Sequence, residues 1–281
     1  MIRVFMDPST FEILPMENGQ NPYIDIHSHP SRQQIQSQHR HMRDAFTASP
    51  TTICFLSHPS HHLPDIVFCA NAGLFLPRLN VLLLPNMKYK QRQDELPYLR
   101  ECFRSIQLPT IDYPGKEPFE GQAELKWFHG GRKAVCGYGH RSTKKTFDEL
   151  NQLFGRLYGN DKPTLLVIEL ISEQYYHLDV AMLEYDDTKC IVHRKAISPA
   201  SLRKLRQFLG KENVTVIDTS DSFCLNAVVD GANLITHRLT DPSMKSKLES
   251  LTGRKVKQVD TSQFEKSGGS VRCMTLDVQI Q

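Results

Sequence analysis

Apolar residues in this chain recur in one phrase: two short hydrophobic runs joined by a tight polar turn, an amphipathic stretch, then a third hydrophobic run. Short continuous or alternating apolar runs predict strands, and apolar positions three and four residues apart predict helices. The clearest copy covers residues 123–171. Strands at 124–128 and 133–138 flank a His129-Gly130-Gly131 turn, and Phe147, Leu150, Leu153, Phe154 and Leu157 mark one helical face. Gly159 stops that helix, and 164–171 reads as a buried strand. A following copy has strands at 180–185 and 190–193 around Asp186-Asp187, a helix at 198–210 and a strand at 214–218. Another runs 225–229, an Asp230-Gly231 hairpin turn, 233–236, a helix over 241–253, and 256–260. An earlier copy starts at Asp65, with strands at 66–76 and 81–84, a helix after Pro97, and a strand at 110–113. The fifth is split, with hairpin strands from 270–280 and 2–6, a helix at 31–47 and a last strand at 52–56.

Copies beginning near 65, 123, 179, 225 and 270 predict an α/β fold in which five ββαβ units form one closed ring with pseudo-fivefold symmetry, spanning 1–281 as a single domain. Closing the last unit with both termini removes the sheet edges. Polar residues fall at equivalent points of the units: Asp65 and Asn71, Glu120, His177 and Asp179, and Cys273 stand at or just before an opening strand. In a ring such points converge on the axis, so side chains distant in sequence meet in one central site.

Composition narrows the chemistry. With 34 basic against 31 acidic residues, the net charge of +3 is too balanced to imply nucleic acid as a partner. No apolar run reaches the roughly 20 residues that span a bilayer, and the best candidate, 74–84, contains Pro77 and Arg78. MIRVFMDPST does not read as a signal peptide, so the expected setting is cytoplasmic. Seven cysteines are too few for a disulfide scaffold, and their odd number leaves a free thiol. Cys190-Ile-Val-His193 lacks the second ligand pair of a structural zinc site, and no metal is expected.

Cys273, in GGSVRCMTL, follows Gly268-Gly269, where backbone can approach a ligand, and Tyr176-His177-Leu178-Asp179 supplies an imidazole and a carboxylate. A thiol with a distant His-x-Asp is the raw material of covalent catalysis by a thiolate. Each residue alone has a plainer reading: a buried apolar cysteine, a satisfied structural histidine, turn chemistry at Glu120-Gly121, surface charge at Arg92 and Arg141. Their shared position in successive repeats favours function. Asp25-Ile26-His27-Ser28-His29 carries a His-x-His pattern used by metal-dependent amidohydrolases, but its further ligands would have to be His58, His61 and His62 on one short loop, which disfavours metal. His39, His41 and Arg43 read as the exposed face of the 31–47 helix.

NPYI (21–24), PDIVFCANAGLFLP (64–77), FEGQAEL (119–125), GYGHRS (137–142), YYHLDV (175–180), CLNAVVDG (224–231) and GGSVRCMTL, in this order and spacing, resemble the guanidino-group modifying enzymes. That superfamily includes arginine deiminase, dimethylarginine dimethylaminohydrolase, arginine dihydrolase and the amidinotransferases. The resemblance implies the five-bladed α/β propeller called pentein, hydrolysis or transfer at a guanidinium carbon, and a small guanidino compound as substrate. It makes Cys273 the nucleophile, His177 the general acid and base, and Glu120 and Asp179 the carboxylates that hold the guanidinium. Arg141, Arg92 and Asn21 would hold the amino-acid end of the substrate, with Asp65 near the same pocket. No metal or organic cofactor is implied, and a homo-oligomer is left open.

A guanidinium carbon is poorly electrophilic and its group stays protonated, so carboxylates on its planar edges fix it while a thiolate attacks one face. Two departures from the family pattern matter. Asn71 stands where deiminases and amidinotransferases place an aspartate, and Ala123-Glu124 replaces the commoner Gly-Asp. An amide at 71 resembles the arginine and succinylarginine dihydrolases, which remove both terminal nitrogens, because it lessens the demand for a cation and suits a neutral ureido intermediate. Amidinotransferase and dimethylarginine dimethylaminohydrolase activities are the enzymatic alternatives. Ribosome anti-association factors share the ring but lack the cysteine and His-x-Asp group.

Overall fold

The computed structural model describes residues 1–14, 21–25, 27–49, 51–57 and 63–279. Fifteen strands form five three-stranded sheets of one plan. The terminal sheet holds β1 (Ile2–Met6), β2 (Thr52–Leu56) and β15 (Leu276–Val278). The others contain β3 (Leu74–Leu76), β4 (Val81–Leu84) and β5 (Thr110–Asp112); β6 (Leu125–Phe128), β7 (Lys133–Tyr138) and β8 (Thr164–Glu169); β9 (Met182–Glu184), β10 (Cys190–His193) and β11 (Val214–Ile217); and β12 (Val228–Asp230), β13 (Asn233–His237) and β14 (Lys255–Val259). In each, the middle strand pairs antiparallel with the opening strand and parallel with the last. A parallel pairing needs a crossover, and a helix fills it every time: Arg32–Asp44, Leu96–Ser105, Lys144–Tyr158, Pro199–Leu209 and Ser243–Thr252.

Local chemistry sets these helices. Ser31, Thr143 and Ser198 cap N-termini by accepting from the backbone N–H of Gln34, Thr146 and Ser201, and Gly159 ends the longest helix at positive φ. Phe147, Leu150 and Phe154 of that helix are buried, each stabilising by about 1.5–3 kcal/mol through transfer from water. The terminal sheet is fixed by Arg3, whose buried guanidinium pairs with Asp277 (2.7 Å) and with Asp230 of β12 (2.9 Å). Asp230 also accepts from the backbone N–H groups of Thr47 and Ala48, so one carboxylate ties three segments together.

The middle and parallel strands lie where the hydrophobic pattern puts them, and 2–6, 52–56, 81–84, 133–138 and 190–193 match to the residue. The opening strand expected at 124–128 is found one residue shorter, as β6, and the other four start two to eight residues later than expected. Each opening strand is preceded by a compact turn: a 3-10 helix at Cys69–Ala72, another at Gly121–Ala123, one helical turn at Leu178–Ala181, and turns at 222–225 and 271–274. These stretches are buried on all sides, so the apolar run carried no period to separate turn from strand. His39 is a second correction: it is buried between Phe5, Phe55 and Phe264, and that burial, reinforced by Arg43, drives its pKa down to about 3. His41 is exposed as expected, and Arg43 covers the ring of Phe55.

Candidate active site

The five opening turns carry the chemistry, and hydrogen bonds link them in a complete circuit. Ala70 N–H donates to the Cys273 carbonyl (3.0 Å), and Gln122 N–H to that of Gly73 (2.9 Å). His177 Nε2 meets Glu120 Oε2 at 2.8 Å. Asn226 Nδ2 donates to the Asp179 carbonyl (3.2 Å), and Arg272 N–H to the Asn226 carbonyl (3.3 Å). Gly121 permits one of these approaches: at φ +61° its α-carbon faces the Gly73 carbonyl, and a Cβ there would sit 2.6 Å from that oxygen.

Seven of the nine sequence-predicted residues line one cavity: Asn21, Asp65, Asn71, Arg92, Arg141, His177 and Cys273. Glu120 and Asp179 are fully buried behind it, bonded to its lining. The cavity has about 20 Å³ of room, enough for a water molecule and far less than an amino acid needs. Phe68, Tyr176 and Ser267 complete the wall. A larger cavity of about 480 Å³, among the hairpin turns at Gly130-Gly131, Asp186-Asp187 and Gly231, contains none of the predicted residues.

Glu120 is the hub. Its Oε2 accepts from Asn71 Nδ2 (3.0 Å), Arg141 (3.1 Å) and His177, and its Oε1 from the Lys88 N–H (3.2 Å). Burial alone would raise this carboxyl, but Arg141 and His177 hold it well below the carboxylate range. Burial, aided by the nearby Arg141 cation, depresses His177 more than Glu120 raises it. A neutral imidazole against an ionised Glu120 must carry its proton on Nε2, leaving Nδ1 basic. Asn71 then serves Glu120 rather than the imidazole 3.4 Å away. Glu124, whose Oε2 accepts from the Glu120 N–H, is raised by burial and by the Glu120 charge.

The Cys273 sulfur lies 3.4 Å from Asp179 Oδ2 and 3.2 Å from Asn226 Nδ2. Burial and Asp179 push this thiol far above its ordinary range, so it rests protonated. Asp179 Oδ1 is buried with no partner among the described residues and is free to accept from a cationic ligand. Arg141 stacks between Tyr89 (5.0 Å) and Tyr176 (4.7 Å) while paired to Glu120, so a guanidinium already occupies the hub carboxylate. Arg92 is clamped by Glu95 (2.7 and 2.9 Å), and Asp65, raised by burial, accepts from Gln91. Asn21 donates to the Ser267 carbonyl. Gly268 and Gly269 make room for protein rather than opening backbone to a ligand: added Cβ atoms would strike Asn21 and Phe68.

Asn226 and Tyr176 escaped the sequence reading. Asn226 could have been found from the repeat, since its unit has a polar residue at the same point as Asn71 and Cys273, but CLNAVVDG reads as an apolar strand. Tyr176, whose hydroxyl donates to the Gly268 carbonyl (2.7 Å), looks like core. Of the His-x-His motif, Asp25, His27 and His29 are exposed and Asp25 accepts from the His27 N–H, while His58, His61 and His62 lie outside the described residues. All seven cysteines are free, and among the described residues no helix is long and apolar enough to cross a membrane.

The family described as N,N dimethylarginine dimethylhydrolase, eukaryotic, matches residues 7–280. The chain belongs to this family. Within and around the dimethylarginine dimethylhydrolases, it is 28% identical over 261 residues to the bifunctional arginine dihydrolase/ornithine cyclodeaminase ArgZ of a Synechocystis strain, covering 92% of this chain and 35% of the relative. The chain thus spans about a third of that longer protein. It is 25% identical over 260 residues to the N(G),N(G)-dimethylarginine dimethylaminohydrolase of Mycobacterium tuberculosis, covering 92% and 80%. Its fold matches the N-terminal domain of ArgZ covalently bound to a reaction intermediate, with TM-score 0.85, 23% identity and coverage of 99% and 97%. The dimethylarginine dimethylhydrolase family and this fold place the protein among the guanidino-group modifying enzymes.

Proposed function

We propose that this protein is a single catalytic domain over 1–281, a five-bladed propeller closed by both termini, that hydrolyses the guanidinium carbon of arginine or a close derivative and releases ammonia. The observation that carries this reading is the meeting of two buried hydrogen-bonded groups, Cys273 with Asp179 and His177 with Glu120 and Asn71, at one cavity. Seven free thiols fit a reducing, cytoplasmic setting.

A substrate guanidinium entering between Asp179 and Glu120 displaces Arg141 from Glu120, freeing that arginine for the substrate carboxylate, while Arg92, held by Glu95, lines the same cavity. The arriving cation neutralises the field that holds the thiol protonated, and His177 Nδ1 takes the proton. The thiolate forms the S–C bond as the C–N π pair moves to nitrogen. Imidazolium then returns the proton to that nitrogen, ammonia leaves, and an amidino-thioether remains on Cys273. Water activated by His177 adds to the same carbon and the C–S bond breaks, giving a ureido product. Asn71 in place of a carboxylate leaves the site able to hold this neutral group for a second round. Arginine and two waters then give ornithine, carbon dioxide and two ammonia.

The family match supports a second reading, in which the guanidinium is methylated and an alkylamine leaves. One experiment separates them. Purified protein is incubated with arginine, dimethylarginine, agmatine and acylated arginine, and ammonia, alkylamine, citrulline and ornithine are quantified alongside intact mass. Two ammonia per ornithine and an adduct lost in Cys273→Ala support the first reading. Alkylamine with citrulline supports the second, and neither adduct nor product from any compound rejects both.

A further inference from the structure

Asn226 is fully buried, and every polar atom of its side chain is committed to the nucleophile's surroundings. Oδ1 accepts from the backbone N–H of Arg272 (3.0 Å) and of Cys273 (3.3 Å), which fixes the turn at 271–274. Nδ2 spends one N–H on the Asp179 carbonyl and directs the other at the Cys273 sulfur, at 3.2 Å and closer than any other side-chain donor described. A thiol needs no such donor. A thiolate does, because Asp179 at 3.4 Å opposes its charge, and apart from Asn226 only the backbone of Ser270 donates toward the sulfur among the described groups.

We propose that Asn226 is a further catalytic residue, whose carboxamide N–H stabilises the Cys273 thiolate as it forms and again when sulfur departs from the carbon. This rests on the thiolate chemistry argued above and adds to it the group that offsets Asp179. The charged and titratable groups around the sulfur are Asp179 and His177 from one turn, Tyr176 and Tyr23 flanking them, Arg272 on the nucleophile's own turn, and Asp65, Arg92 and Arg141 across the cavity. Among these Asn226 is placed by three other bonds, so its N–H costs no reorganisation when charge appears. The same three bonds make it structural too, and the test has to separate the roles.

Asn226→Asp keeps an acceptor for Arg272 and Cys273 N–H and removes the donor to sulfur; Asn226→Ala removes both. The rate of Cys273 alkylation by iodoacetamide at a fixed pH, followed by intact mass in the full chain with Cys273→Ser as background, should fall about tenfold or more in Ala and further in Asp. On the active substrate, kcat should fall about 10- to 100-fold in both with KM changed less than about threefold. Unchanged alkylation rates in folded variants overturn the proposal, as does an Asp variant as active as the parent. Should the variants not fold, the Asn226 side-chain ¹⁵N–¹H signal of the parent decides: it must shift as the thiol titrates, and an unmoved signal rejects the bond. Alkylation requires no guanidine, so a protein inert toward every guanidino compound would fail the catalytic reading while leaving the Asn226–sulfur result legible.

Discussion

At the scale of single residues, the site is organised by one oxygen. Glu120 Oε2 accepts three donors at once, and Asn71 is the one that sequence marks as unusual. An aspartate at 71 would set a second carboxylate 3 Å from the first in a fully buried place, where like charges raise a pKa or destabilise the fold. Asn71→Asp is therefore expected to lower the melting temperature and to stop turnover at the first round, so that citrulline accumulates where the proposed reaction of the parent ends in ornithine; amino-acid analysis of the reaction reads this directly. Arg141 makes a different prediction. Because it must leave Glu120 before it can meet a substrate carboxylate, Arg141→Gln should raise KM for arginine by about 10- to 100-fold, the worth of a charged hydrogen bond. Agmatine, which has no carboxylate to lose, should be affected much less.

At the scale of elements, the interior strands are legible because each is short, largely apolar, and followed by a helix with a clear buried face. The turns preceding the opening strands are not. Residues 66–73 and 225–227 look like strand because burial on all sides suppresses alternation, yet these are the segments that deliver Asn71 and Asn226. Motif order nonetheless points to nine residues that the fold brings together, seven lining one cavity and two behind it, since it needs no knowledge of local backbone. His39 was misjudged for a related reason: its helix is buried on two sides, by β1 and by the Ser262–Glu265 turn, so polarity alone placed it wrongly. His237 in β13 shows what a buried histidine does when paired. Burial would lower it, but Asp221 (2.9 Å) and Glu265 (3.2 Å) raise it to about 9. Its folded pKa exceeds the unfolded value near 6.5, so its stabilisation is complete below that pH and is lost as pH climbs through about 9. Denaturant titrations at several pH values should show a decline of roughly 3 kcal/mol across this window that is absent in His237→Gln.

At the scale of the molecule, the five sheets share no continuous ladder, so their union depends on side chains and turns crossing between units. The Arg3–Asp230 pair is the most buried of these crossings, with both side chains fully enclosed. Asp230→Ala leaves Arg3 with Asp277 alone and strips the Thr47 and Ala48 N–H groups of their acceptor, so it should cost about 3–5 kcal/mol, seen as a lower denaturant midpoint with little change in slope. Activity of the surviving folded fraction should be near that of the parent, because Asp230 touches none of the residues around Cys273.

The pairing of β1 with β15 carries a mechanical consequence. Ile2 lies opposite Val278, so a force applied between these two residues loads the antiparallel ladder from its open end and breaks its bonds one after another. The parallel ladder between β1 and β2 would have to be sheared along its length instead. In an optical trap with handles at those two positions, β15 should peel away at low tension as the first event, and the remaining units should resist until a second, higher rupture.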